Sequence, residues 1–245
     1  MFNFSVSKYS YQASFLILIL INITTTNSKP YYSQSSQDQY LNENIFKNKL
    51  NGFFVEIGAF DGVQLSNSYF FEKELKWKGI CIEPIPEIYK LLRANRTCIC
   101  VEGIVYNHTG FEDFKHFQGG SNPASAGEMW SGIPTKLHPN HLAIIEHYNK
   151  VDGGRSEQIL KVKSYLLNDL LKEYGVSYVD YLSVDTEGSE LEILKTIDFE
   201  KYYIHVIGVE NNYQDSAISE FLKSKGFKFI QRLGFDDIFV NIKIN

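Results

Sequence analysis

Cysteine is scarce. Three residues, Cys81, Cys98 and Cys100, stand in a chain of 245, and a small odd count excludes a disulfide-stapled scaffold. Cys98 and Cys100 sit two apart in an expected strand, so they share a face but lie too far apart to bond easily. A bond from Cys81 to one of them needs neighbouring strands; three buried, unpaired thiols are the alternative. Basic residues are short too: 24 Lys and Arg against 29 Asp and Glu leave a net charge of −5. That balance lacks the basic footprint of a nucleic-acid binder. What is present is ordinary for a folded domain: 44% hydrophobic, 22% charged and 15% aromatic residues. Wholly disordered, collagen-like and multi-span membrane classes are excluded, and the length buries a full core without staples.

The N-terminal segment reads as a secretory signal. Lys8 precedes the uncharged run Ala13 to Ile23, and Thr24 to Ser28 is small and polar. Basic, apolar and small-polar stretches in that order describe a cleaved signal peptide, ending near Ser28. A bilayer-spanning helix needs roughly 20 apolar residues. This run reaches that length only by recruiting Tyr9 and Tyr11, which would make an uncleaved signal-anchor. A third reading is a first helix of the domain. Residues 1–28 are therefore expected to be a signal, 29–50 a leader and helix, and 51–245 the functional domain, with an insertion at about 118–160. Secretory entry makes the sequons at Asn95 and Asn107 glycosylation candidates if exposed; Asn22 falls in the signal itself.

Strands and helices alternate. Helices are expected at Gln39 to Asn48, Ser68 to Leu75, and Pro86 to Ala94 with Ile88, Leu91 and Leu92 inward. Further ones are expected at Leu166 to Tyr174 (started by Asn168 or Ser164), Ser189 to Lys195, and Ala217 to Lys225 before Gly226. Strands are expected at Phe53 to Gly58, Ile80 to Glu83, Thr97 to Val101, Gly110 to Phe117, Lys161 to Tyr165, Val179 to Val184 and Tyr203 to Val209. Phe227 to Arg232 and Asp237 to Ile242 form a closing hairpin. The pattern predicts an α/β fold: a mostly parallel sheet, helices on both faces, and an antiparallel strand at the end.

In such sheets ligands bind where strands end. The first strand runs into Glu56-Ile57-Gly58 and on to Asp61-Gly62; the others end at Glu83, Asp185 and Glu210. Glu83 lies 25 residues beyond Gly58, where an acid can accept both hydroxyls of a ribose. A dinucleotide site needs Gly-x-Gly-x-x-Gly, and this turn is one glycine short. Acid-x-Gly-x-x-x-Gly suits S-adenosylmethionine better, which has no pyrophosphate. The bland reading of Glu56 is an acid capping a turn.

These residues resemble the FkbM family of S-adenosylmethionine-dependent methyltransferases. The likeness covers about residues 36–243. It starts at Phe54 to Gly62, continues through Ser66-Asn67-Ser68, Trp77 to Pro84 and Asn95-Arg96, and is strongest at Tyr181 to Leu194. Gly226-Phe227 and Asp236 to Val240 match in style. Ser-Asn-Ser, Trp-x-Gly and Asn-Arg, joined to a signal, look most like the eukaryotic secretory branch related to the protein Star. The resemblance implies a Rossmann-like class I fold with a seven-stranded sheet. It implies that Glu56, Gly58, Asp61 and Gly62 line the methionine end of the cofactor and that Glu83 holds the ribose. Gly103 and Ile104, within Glu102 to Val105, would lie along the adenine. Asp185, Glu187 and Glu210 would face the methyl-transfer centre.

An oxygen acceptor loses a proton as it attacks, so a nearby base helps; Asp185 and Glu187 are the candidates. Their structural alternative is that Glu187 caps the helix at Ser189 and Asp185 satisfies loop N–H groups. The same pair offers oxygens to a divalent ion, but no further pair completes such a site by spacing, and no metal is expected. His138, His141 and His147 have zinc-ligand types, yet Pro139 separates the first two and no Cys is near; they read as polar loop residues. Gly119-Gly120 and Gly153-Gly154 read as flexible loops or lid hinges, and Trp130 as a substrate contact or insertion core. The expected activity is O-methylation of a glycan or small hydroxylated acceptor in the secretory pathway, with no nucleic acid and with membrane contact only through an anchor. The rival is a non-catalytic protein of this fold acting on secretory cargo.

Overall fold

The computed structural model describes residues 30–119, 127–151 and 156–243. The signal segment, the Asn22 sequon, Gly120, Gly153, Gly154 and part of the expected insertion lie outside the described residues.

Seven strands form the main sheet, in the order β3-β2-β1-β7-β8-β10-β9. They are β1 (Phe53–Ile57), β2 (Lys78–Glu83), β3 (Ile99–Glu102), β7 (Tyr178–Val184), β8 (Tyr203–Glu210), β9 (Phe227–Leu233) and β10 (Asp236–Asn241). Neighbours pair in parallel from β3 through to β8, and β10 runs antiparallel between β8 and β9. The α/β architecture and antiparallel final strand are as expected.

Alternate residues of each central strand enter different cores, as a pleat requires. Phe54, Cys81, Tyr181, Val206 and Ile238 face one side. There they meet α1 (Gln37–Tyr40, running on as a π-helical stretch Leu41–Phe46) and α2 (Tyr69–Leu75). Val55, Ile80, Leu182, Ile207 and Phe239 face the other. Their partners are α5 (Leu167–Glu173), α6 (Glu190–Thr196) and α7 (Ser216–Ser224). Both faces are therefore covered, which is why these strands read as nearly unbroken apolar runs. In α3 (Pro86–Asn95), of the three expected apolar positions Leu92 is buried and Ile88 packs partly buried against the core, whereas Leu91 is 51% exposed.

The stretch after β3 departs from expectation. A second sheet, β4-β6-β5, brackets it. It is made of β4 (Ile104–Val105), β5 (Gly110–Gln118) and β6 (Ser156–Tyr165), the last starting five residues before the expected strand. Between β5 and β6 lies α4 (Pro139–Val151), where loop histidines were expected. Pro139 misleads as a breaker. At the first helical position its missing N–H costs nothing and its φ is already suitable. Asn168 and Ser164 do not cap α5. They bond the Thr196 and His108 carbonyls instead. Cys81 and Cys98 do come from neighbouring chain segments, with free thiols 3.6 Å apart.

Candidate active site

The parallel strands end at a common edge, and a cavity of about 520 Å³ opens there, a size suited to a cofactor. Gly58, Glu83, Gly103, Ile104, Asp185, Glu187 and Glu210 line it, together with Glu56. These are eight of the ten residues singled out above. Asp61 and Gly62 do not line it. Asp61 Oδ1 accepts the Val63 and Gln64 amides at 2.8 Å each, shaping the turn.

Gly58 follows β1 at φ +83°, and a Cβ there would strike the Asp185 carbonyl. Only glycine allows this conformation and approach together. The strand end and the Asp185 turn are thereby packed backbone to backbone.

Glu83 ends β2 inside the protein. Its two oxygens accept the Phe60 and Ile85 amides at 3.1 and 2.9 Å. Burial pushes its carboxyl up to about 7, and those two amides offset part of the effect. Each oxygen keeps a lone pair, the equipment for binding a cis-diol.

Glu56 is occupied by the protein. It accepts Ser66 Oγ, the Asn67 amide at 2.6 Å and Ser68 Oγ at 2.6 Å, and meets Arg96 at 3.3 Å. Buried Arg96 also pairs with Glu72 at 2.5 Å and bonds the Gly62 carbonyl at 3.0 Å. This network fixes the loop from Gly62 to Ser68. It leaves Asn67 buried beside the cavity, with Nδ2 on Ser183 Oγ at 3.0 Å and Oδ1 without a partner among the described residues.

Three acids converge from two strand ends. Carboxylate oxygens of Asp185, Glu187 and Glu210 lie within 4.8 Å of one another. Glu210 is the third oxygen donor that sequence spacing did not reveal. Burial holds all three carboxyls above their usual range; neighbouring acids add to this, Asp236 foremost for Asp185, and Asp185 for Glu187 and Glu210. The loop amides here are satisfied by Glu190, whose Oε1 accepts those of Thr186 and Gly188 at 2.9 and 3.0 Å. Glu187 sits at φ +59°, a strained conformation for a non-glycine residue, and points its carboxylate at His141.

Sequence reasoning missed His141. It lies in α4, is 8% exposed, and bridges the insertion to the acids. Nε2 lies 3.0 Å from the Trp130 carbonyl and Nδ1 3.3 Å from Glu187 Oε2. A carbonyl only accepts, so the ring proton sits on Nε2 and Nδ1 turns a lone pair to Glu187. A protonated Glu187 satisfies that contact. Trp130 lines the cavity as well.

Residues 56–229 match the family model described as the methyltransferase FkbM domain. Over 205 residues, 72% of this chain and 74% of the relative, the sequence is 27% identical to methyltransferase sdnD of Sordaria araneosa. A crystal structure of methyltransferase FkbM from Methylobacillus flagellatus KT superposes with a TM-score of 0.46 at 10% identity, over 85% of this chain and 48% of that one. The chain thus spans about half the length of that solved protein.

Proposed function

The chain belongs to the methyltransferase FkbM domain family, and from that premise we propose that it is an S-adenosylmethionine-dependent O-methyltransferase of the secretory pathway, acting on a glycan or small hydroxylated acceptor. Glu83 carries the reading: a buried acid at the end of the second strand, facing a cavity with one lone pair free on each oxygen. The rest of the lining fits the same cofactor. Asn67 Oδ1 is an orphaned acceptor suited to an ammonium group, and Gly103 leaves the wall beside Ile104 without a side chain. When bound, the cofactor supplies a sulfonium methyl group. Glu83 accepts the ribose hydroxyls, Asn67 the amino group, and Asp185 takes the proton from the acceptor hydroxyl. Positioning and electrostatics supply most of the rate.

Calorimetric titration of S-adenosylhomocysteine into the protein is expected to show micromolar binding. Asp185→Asn should keep that affinity while methyl transfer falls about a hundredfold, the usual worth of a general base. Unchanged turnover removes Asp185 from the mechanism. No binding by folded protein shifts the reading to a non-catalytic role on secretory cargo.

The secretory assignment has its own test. Asn95 and Asn107 are both exposed. The full-length chain expressed through a secretory route should carry one or two glycans removable by an N-glycosidase, and a mature N-terminus near Lys29. An unglycosylated protein with an intact N-terminus overturns this part of the proposal.

A further inference from the structure

A second cavity, about 360 Å³, lies against the first. His141, Glu187, Glu210, Asn212 and Tyr213 line both cavities, so they form the wall between them. We infer that this second cavity is the acceptor subsite and that it takes an uncharged, hydroxyl-bearing ring, which presents one hydroxyl to the first cavity between Glu187 and Glu210. The inference rests on the methyltransferase reading and adds to it the place and charge of the acceptor.

Position comes first. An in-line displacement needs the acceptor on the side of the methyl group away from the departing sulfur. The ribose-binding acid, Glu83, and the base, Asp185, line the first cavity alone, whereas Glu187 and Glu210 line both. A hydroxyl presented from the second cavity between Glu187 and Glu210 therefore approaches Asp185, whose carboxylate lies within 4.8 Å of theirs.

Charge comes next. Carboxyl groups dominate this lining, with Glu187 and Glu210 held toward the protonated form by burial, and its lysine, Lys136, is held by Glu192 at 2.6 Å. A phosphate, sulfate or carboxylate acceptor would leave water with no uncommitted lysine or arginine among the described residues of the lining to receive it. An amine would take a proton from one of these acids and become ammonium, which has no lone pair to accept a methyl group. A neutral hydroxyl suffers neither penalty.

Shape comes last. Tyr213 stacks on His138 with ring centroids 3.7 Å apart and planes 22° from parallel. His138 is itself fixed by the Asn140 amide on Nδ1 at 3.1 Å. The result is a flat, braced aromatic surface on the cavity wall, suited to the face of a ring.

The test uses saturation-transfer NMR on the full chain loaded with S-adenosylhomocysteine. Three probes of one shape are compared: methyl β-D-glucopyranoside, glucuronate and glucosamine. Saturation should reach the neutral glucoside, without displacing the bound nucleoside, and exceed that of glucuronate; with S-adenosylmethionine in place of S-adenosylhomocysteine, the glucosamine nitrogen should receive no methyl group. Tyr213→Ala, at a 41% exposed position, should melt like the parent and weaken glucoside binding about fivefold, within the range of a single aromatic contact. Glucuronate binding as well as the glucoside, or methylation of the glucosamine nitrogen, overturns the inference. So does competition with the nucleoside, indifference to Tyr213→Ala, or no binding of the glucoside. Calorimetry separates these failures from failure of the underlying reading: a chain that binds no S-adenosylhomocysteine overturns both.

Discussion

Replacing Glu83 by alanine is expected to weaken S-adenosylhomocysteine binding about a thousandfold and to leave the fold standing. The magnitude follows from two charge-assisted hydrogen bonds to the ribose, each worth about 1.5–3 kcal/mol. The Phe60 and Ile85 amides, which Glu83 now accepts, would also lose their partner. Glu83→Gln is the finer probe, since it keeps the shape and removes the charge. The carboxyl titrates at about 7 in the folded protein against about 4.3 when unfolded. The carboxylate is the form that accepts both hydroxyls. Affinity should thus rise between pH 6 and pH 8 and then level, with about a tenfold deficit at pH 6. Stability without ligand should run the other way. A raised carboxyl stabilises the fold fully below its unfolded pKa, and the contribution is lost as pH rises through 7. Melting curves from pH 4.5 to 8 should show this loss in the parent and not in Glu83→Gln. A flat affinity profile, or full affinity in Glu83→Ala, removes Glu83 from the cofactor site.

Arg96→Ala is expected to cost about 3–5 kcal/mol, the range for breaking a buried ion pair from one side. The guanidinium meets Glu56, Glu72, Ser68 and the Gly62 carbonyl, and stands 5.2 Å from the Phe54 ring. Removing it strands two buried acids with no cation between them. Burial raises Glu72, and Arg96 with Thr97 overcomes that and holds it below its ordinary value. Its contribution is therefore present above the usual carboxylate range and lost as pH falls below it. The variant's deficit in melting temperature should accordingly shrink in acid. Arg96→Lys should recover only part of the loss, since a single ammonium cannot reproduce the planar fork. A variant that melts within 2 °C of the parent would show that the network does not hold the loop.

Strand ends were legible because burial on both faces leaves unbroken apolar runs, and an acid or glycine closing such a run stands out. Glu83, Asp185 and Glu210 were found that way, before any contact was known. Arg96 appeared only as a matching letter, because its meaning depends on two acids 24 and 40 residues earlier. His141 was hidden by a proline at the start of its helix. Tyr213 gave no periodic signal, since it sits just past a strand in a short turn. Glu187 and Glu190 show the limit most sharply. They stand three apart in one motif, and only the backbone decides which accepts the loop amides and which faces the cavity.

The position of β10 has a consequence for assembly of the fold. Asp236 to Asn241 fills the gap between β8 and β9, and Asp236 receives the Gln37 side chain at 2.8 Å. Gln37, Phe235 and Asp236 all line the larger cavity, although they fall outside the segment matching the family model. A chain folded only as far as Leu233 would leave β8 and β9 without the strand that joins them and the cavity without Phe235 and Asp236 in its wall. A truncation just before Asp236 is therefore expected to abolish ligand binding as completely as one much earlier.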